Sequence, residues 1–120
     1  MKTMSVKQFL RIRKTIENLR DELKKISEEE MKKGKYRFFP FVLIGSNRFD
    51  ACINKLDLLD DYEQTDWSIG DVIMTELYTE NPDEDDPYRQ DELYVNERVK
   101  EIMIRFHLLR NEDRRRWNVL

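Results

Sequence analysis

The feature that most constrains this chain is an apolar stripe near its start. Phe9, Ile12, Ile16, Leu19, Leu23 and Ile26 are spaced 3, 4, 3, 4 and 3 residues apart. That alternation places all six on one flank of an α-helix and has heptad character. Ser5, three residues before Gln8, forms a capping-box start. Gly34 supplies a natural stop, and Lys32 and Lys33 suit the negative end of the helix dipole. The spacing predicts a helix over Val6 to Lys33, roughly 40 Å long at 1.5 Å per residue. This is long for a single domain of 120 residues. Its N-terminal end or the Glu28-Glu29-Glu30 tail is expected to project. Such a stripe packs either into the chain's own core or against a second chain, so a homo-oligomer built on heptad-like helices stays open.

A second stripe, Val95, Val99, Ile102, Phe106 and Leu109, predicts another long helix starting at Asp91, with Leu93 and Met103 widening its face. Between the two, residues 36–44 (Tyr-Arg-Phe-Phe-Pro-Phe-Val-Leu-Ile) are rich in β-formers, and Pro40 implies an edge strand or a bulge. Gly45-Ser46-Asn47 reads as a turn. Residues 49–59 fit a helix through Phe49, Cys52, Ile53, Leu56 and Leu59, with Ser46 or Asn47 as N-cap. They also fit a strand through Phe49, Ala51 and Ile53. The helix matches more positions. Asp60 to Asp66 reads as a polar linker. Ser68 with Asp71 suggests a short helix carrying Ile69, Val72, Ile73 and Leu77, against a rival strand from Val72 to Tyr78. Residues 81–87 (Asn-Pro-Asp-Glu-Asp-Asp-Pro) read as a solvated acidic loop. The expected fold is α+β: one domain over 1–120, mostly helical, with two long amphipathic helices packed together beside a small β element.

Charged residues make up 39% of the chain, well above the usual ~25%, and they are unevenly placed. Residues 1–48 hold 13 Lys/Arg against 6 Asp/Glu, residues 49–97 hold 2 against 16, and residues 98–120 hold 7 against 3. A basic–acidic–basic order lets the flanks neutralise the middle, or leaves the middle to face a basic partner. An aromatic content of 11% argues against disorder. Cys52 is alone, so an intrachain disulfide is excluded. Met1 to Lys7 carries positive charge with no apolar run behind it, unlike a signal peptide, and no apolar stretch approaches the ~20 residues of a membrane span. We expect a cytoplasmic protein that does not enter membranes.

No residue pattern points to catalysis. The single imidazole, His107, sits at the margin of the second stripe, and Cys52 lies among apolar neighbours. Gly34, Gly45 and Gly70 form no phosphate-cradling loop. Carboxylates abound, yet no pair stands out. Asn81, Asp83, Asp85 and Glu92 fall at positions 1, 3, 5 and 12 of a calcium loop. Asp86 occupies the position that requires glycine, and Arg89 opposes a cation. One Cys and one His are too few for a structural zinc site. We therefore expect no enzyme activity, cofactor or metal. Lys7, Arg11, Lys14, Lys24, Lys25, Lys32, Lys33 and Lys35 make the first helix basic, and Arg114 to Arg116 add to it. This allows a nucleic-acid-associated regulator, and the acidic middle allows a DNA mimic. The acidic pI near 5.3 and the missing reader motif weigh against the former. The basic flanks weigh against the latter. Aromatics set in polar and acidic segments are typical interface anchors. Trp67, Tyr88, Tyr94 and Trp117 are the expected partner-binding residues.

In size, charge and absence of chemical signatures, the chain resembles small accessory proteins of temperate phages of low-GC Gram-positive bacteria. The Lys/Glu/Ile-rich segment Met4 to Lys33 and the acidic loop Asn81 to Pro87 carry that character. Within this class it looks like an anti-defence protein, specifically the inhibitor of a defence-associated sirtuin that depletes NAD. The resemblance implies a host-cytoplasmic inhibitor that occupies a surface of that NADase and blocks its activation. No functional residue carries over from it.

Overall fold

The computed structural model describes residues 3–34, 46–86 and 88–118. Among these residues five α-helices follow one another: α1 Val6–Lys32, α2 Ser46–Asp57, α3 Asp66–Leu77, α4 Arg89–Arg105 and α5 Asn111–Arg116. A 3-10 turn, Asp61–Glu63, lies between α2 and α3. The expected α+β class is thereby corrected: the described residues are all-helical. Among the described residues the only β feature is an isolated antiparallel bridge between Thr3 and Thr65. The β-prone stretch 36–44 lies outside the described residues. Residues 49–57 and 71–77 are helical because burial follows a 3.6-residue period. Phe49, Cys52, Ile53 and Leu56 are buried on α2, as are Ile69, Gly70, Ile73, Met74 and Leu77 on α3. A strand would send every second one of these to solvent.

α1 begins as expected, with the Gln8 N–H donating to Ser5 Oγ at 3.2 Å. It ends with Gly34 at φ +74°, where a Cβ would be strained. Phe9, Ile12, Ile16, Leu19 and Leu23 are all buried in the chain's own core. That corrects the heptad route to an oligomer, because this stripe is not open to a second chain. Ser27 is buried as well, so projection is confined to the turn beyond it. α3 starts earlier than expected. Its N-cap is Thr65, whose Oγ1 accepts from the Ser68 N–H at 3.1 Å. α5 was not foreseen from the sequence.

α1 to α4 run alternately up and down. Arg13 reaches Asp57 and Arg20 reaches Asp50, which fixes α1 antiparallel to α2. Asn96 meets Thr79 while Leu108 lies against Gly70, which fixes α4 antiparallel to α3. Arg98 of α4 donates to Glu22 of α1 at 2.6 Å and closes the circuit. The main packing partner of α1 is α2, and α4 meets it across a groove floored by Leu19 and Ile102. The basic flanks pair with part of the acidic middle, through Arg13–Asp57, Arg20–Asp50, Arg110–Asp71 and Arg116–Glu80. Exposed pairs of this kind contribute only about 0–1 kcal/mol each. Their main effect is on register.

α4 ends in a Schellman motif. The Leu108 N–H donates to the Met103 carbonyl at 2.9 Å and the His107 N–H to the Ile104 carbonyl at 3.2 Å. His107 takes the left-handed position, with φ 56°. Glycine adopts that conformation without a Cβ penalty, at the cost of extra freedom in the unfolded chain. His107→Gly is expected to stabilise the domain by about 0.5–1 kcal/mol, read as a raised urea midpoint at unchanged m-value. A lowered midpoint would show that the imidazole makes a compensating contact.

Candidate protein-binding surface

Cys52 is fully buried, and burial pushes its thiol up to about 12, far from a nucleophilic thiolate at neutral pH. His107 is exposed at the helix end just described. In the acidic loop, the Asp83 carboxylate accepts from the Asp85 N–H at 3.0 Å and the Asp86 carboxylate from the Tyr88 N–H at 2.8 Å. These carboxylates cap turns. Among the described residues no three His, Cys, Asp or Glu side chains converge as metal ligands. Glu92 sits above the usual carboxylate range through burial and the neighbouring Asp86, with Arg48 opposing the shift. Arg48 is itself lowered by burial; its Nε donates to the Glu76 carbonyl and its Nη2 to Thr79 Oγ1. It ties α2 to the end of α3.

The four expected anchors do not form one surface. Trp117 is half-buried. Its Nε1 donates to Tyr78 Oη at 3.2 Å, its ring lies 5.3 Å from that of Tyr78, and Lys100 stands 5.5 Å from its centroid. It fastens the end of α5 to the end of α3. Tyr94 is half-buried at the α1–α4 junction, its Oη accepting from Arg98 at 3.2 Å. Tyr88, 41% exposed, occupies the N-cap position of α4. Trp67, 50% exposed, stands at the first turn of α3. Tyr88 and Trp67 lie at opposite ends of the bundle. The length of α3 alone, roughly 18 Å, separates those ends.

One of these ends is distinctive. Six of the eight strongly exposed large apolar side chains among the described residues belong to elements that begin or end there: Val6 and Leu10 in the first turns of α1, Leu58 just past α2, Tyr62 in the 3-10 turn, Trp67 in the first turn of α3 and Ile104 in the last turn of α4. The placement follows from the fold. Val6, Leu10 and Arg13 fall at i, i+4 and i+7, on one flank of α1. Arg13 grips Asp57 through two hydrogen bonds, Nε to Oδ1 at 2.8 Å and Nη2 to Oδ2 at 2.9 Å. That grip ties the end of α2, with Leu58 just beyond it and 79% exposed, to the flank of α1 that carries Val6 and Leu10. The guanidinium also holds the Asp57 carboxyl below its ordinary range, by hydrogen bonding first and charge second. The pair therefore stabilises the fold above the ordinary carboxylate pKa and is lost as pH falls through the depressed value. The Met4 N–H donates to the Gln64 carbonyl at 2.7 Å, and Thr3 bridges Thr65. These contacts seat Tyr62 and Trp67 beside the start of α1.

The sequence singled out only Trp67 as an anchor on this end. Val6, Leu10, Leu58 and Ile104 were missed. A signal was present for the first two, because both are apolar and lie off the heptad stripe, where solvent-facing residues belong. Contiguous exposed apolar surface beyond a few hundred Å² is uncommon on monomeric proteins and marks interaction sites.

The arrangement defines a small up-and-down helical bundle with an uncovered apolar end. No protein family, curated protein or solved structure matches the chain. Among the described residues no helix is long and apolar enough to cross a membrane.

Proposed function

We propose that this chain is a non-catalytic, protein-binding accessory protein that acts by covering a surface of its partner. The observation that carries this reading is the apolar end formed by Val6, Leu10, Leu58, Tyr62 and Trp67. Leu10, Leu58 and Trp67 are its central anchors. Aromatic and aliphatic anchors desolvated against a partner supply most of an interface's free energy, and the surrounding charges mainly steer encounter. The resemblance noted above gives the reading its specific form. In that form the partner is a bacterial defence-associated sirtuin, the setting is the cytoplasm of a phage-infected host, and the outcome is inhibition of NAD depletion by occupancy.

Tagged wild-type chain is expected to co-purify with the sirtuin at fixed stoichiometry and to lower its NAD consumption. The triple variant Leu10→Glu/Leu58→Glu/Trp67→Ala is expected to lose capture by roughly 100-fold or more, with unchanged far-UV circular dichroism. Retention of full capture by a folded triple variant would refute this surface. Failure of the wild type to bind or inhibit the sirtuin would refute the named partner. A salt-sensitive gel shift with duplex DNA, abolished by Lys7→Glu/Arg11→Glu, would instead support the nucleic-acid reading.

A further inference from the structure

The apolar end has oppositely charged edges. Lys7, Arg11 and Lys14 fall at i, i+4 and i+7 on the flank of α1 adjacent to Val6 and Leu10, and all three are exposed. Lys14 leans on Glu17 at 3.7 Å. Thr15, one turn after Arg11, shares the α1–α4 groove with Arg105, so Arg105 extends this cationic edge. On the other side, the stretch from the end of α2 to the first residue of α3 carries Asp60, Asp61 and Asp66, all exposed, and no Lys or Arg from Asp57 to Asp66. Val6 and Leu10 lie on α1 between this cationic flank and Arg13, which holds Asp57 at the start of the acidic segment, and Leu58 and Tyr62 are set within that segment.

A strip with a positive edge and a negative edge is complementary to itself under a two-fold rotation. Rotation about an axis through its centre lays the cationic edge of one copy on the acidic edge of the other, while the apolar centres meet. This is the isologous geometry of the commonest homodimers, in which residue i contacts j and j contacts i. We propose that, without its target, this end is covered by a second copy of the chain in a two-fold dimer. This inference builds on the reading of the end as a docking surface. Dimerisation hides the surface, and the target must displace the second copy to reach it. The α1 heptad stripe takes no part, because it lies in the core of each protomer.

Analytical ultracentrifugation of purified full-length chain at about 100 μM and low salt is expected to give twice the mass of one chain. Dissociation is expected to increase at high salt as the edge pairs are screened. The cationic-edge variant Lys7→Glu/Arg11→Glu and the acidic-edge variant Asp61→Lys/Asp66→Lys should each weaken self-association about 10-fold or more. Mixing the two at equal amounts should restore a dimer that holds one of each. All four substitutions are at exposed positions, and circular dichroism checks the fold. A wild type that stays monomeric overturns the proposal, and so do variants that dimerise as well as wild type or a mixture that fails to pair. A monomeric wild type that still captures the sirtuin sinks the dimer alone. A dimeric wild type that captures nothing sinks the docking role alone.

Discussion

Gly70→Ala is expected to destabilise the domain by about 2–3 kcal/mol, although alanine is the better helix former. Gly70 lies inside α3, where exchange to alanine on an isolated helix gains about 1 kcal/mol. Here a Cβ would stand 2.6 Å from the Leu108 carbonyl oxygen, 3.2 Å from the Met103 methyl and 3.4 Å from Leu108 Cβ. The methyl of Met103 can move. The Leu108 carbonyl cannot move cheaply, because the Leu108 N–H is locked to the Met103 carbonyl in the motif that ends α4. α3 and α4 would have to separate by several tenths of an ångström, which loosens Ile73, Leu77, Val99 and Met103 in a close-packed core. Urea unfolding followed by circular dichroism checks the sign, and Gly70→Val should cost more. A stabilised Gly70→Ala would mean that α3 does not approach the end of α4 as described.

Asn96→Ala is expected to cost a similar amount, about 2–3 kcal/mol, through a different mechanism. Asn96 is buried, its Nδ2 donating to the Thr79 carbonyl at 2.8 Å and its Oδ1 accepting from the Thr79 N–H at 2.9 Å. One side chain thus satisfies both backbone groups of the residue that leads from α3 into the acidic loop. Removing it leaves a donor and an acceptor without partners in a half-buried place, and an unmade bond costs more than a made one contributes. Amide hydrogen exchange should rise first over residues 79–86, with α1 and α2 little affected. Asn96→Asp keeps the acceptor, loses the donor and adds a charge, so it should rescue little. A uniform rise in exchange across the chain would show that Asn96 supports the whole core rather than this loop.

How much of the molecule could be read beforehand differs from element to element. α1 was legible to within a residue, because six apolar positions, an N-cap serine and a stop glycine all agree. α4 was legible in type, but Leu109 was assigned to it wrongly. The helix ends when His107 turns left-handed, a conformation that nothing in the local spacing announces. The start of α3 was misplaced because Thr65 and Ser68 are both credible caps, and Thr65 takes the role by accepting from the Ser68 N–H while it bridges Thr3. α5 was missed because six residues carry too little periodicity to register. Its support comes from Arg110 on Asp113 and from Trp117 on Tyr78, and the latter lies 39 residues away. The same distance explains the anchors. Trp67 and Trp117 look alike in sequence, since each is an aromatic in a polar setting. Tyr78 half-buries one of them, and the other stays open.

Helix identity and most core positions were determined by the sequence itself, because a helix is built from neighbours three and four residues apart and its buried flank is written in that spacing. The all-helical character of the described residues and the apolar end with its two charged edges were decided only in three dimensions. That end joins residues 6–14, 57–67 and 104–105, which no local pattern connects. They meet because Arg13 grips Asp57, Met4 pairs with Gln64, and α4 returns antiparallel to α1.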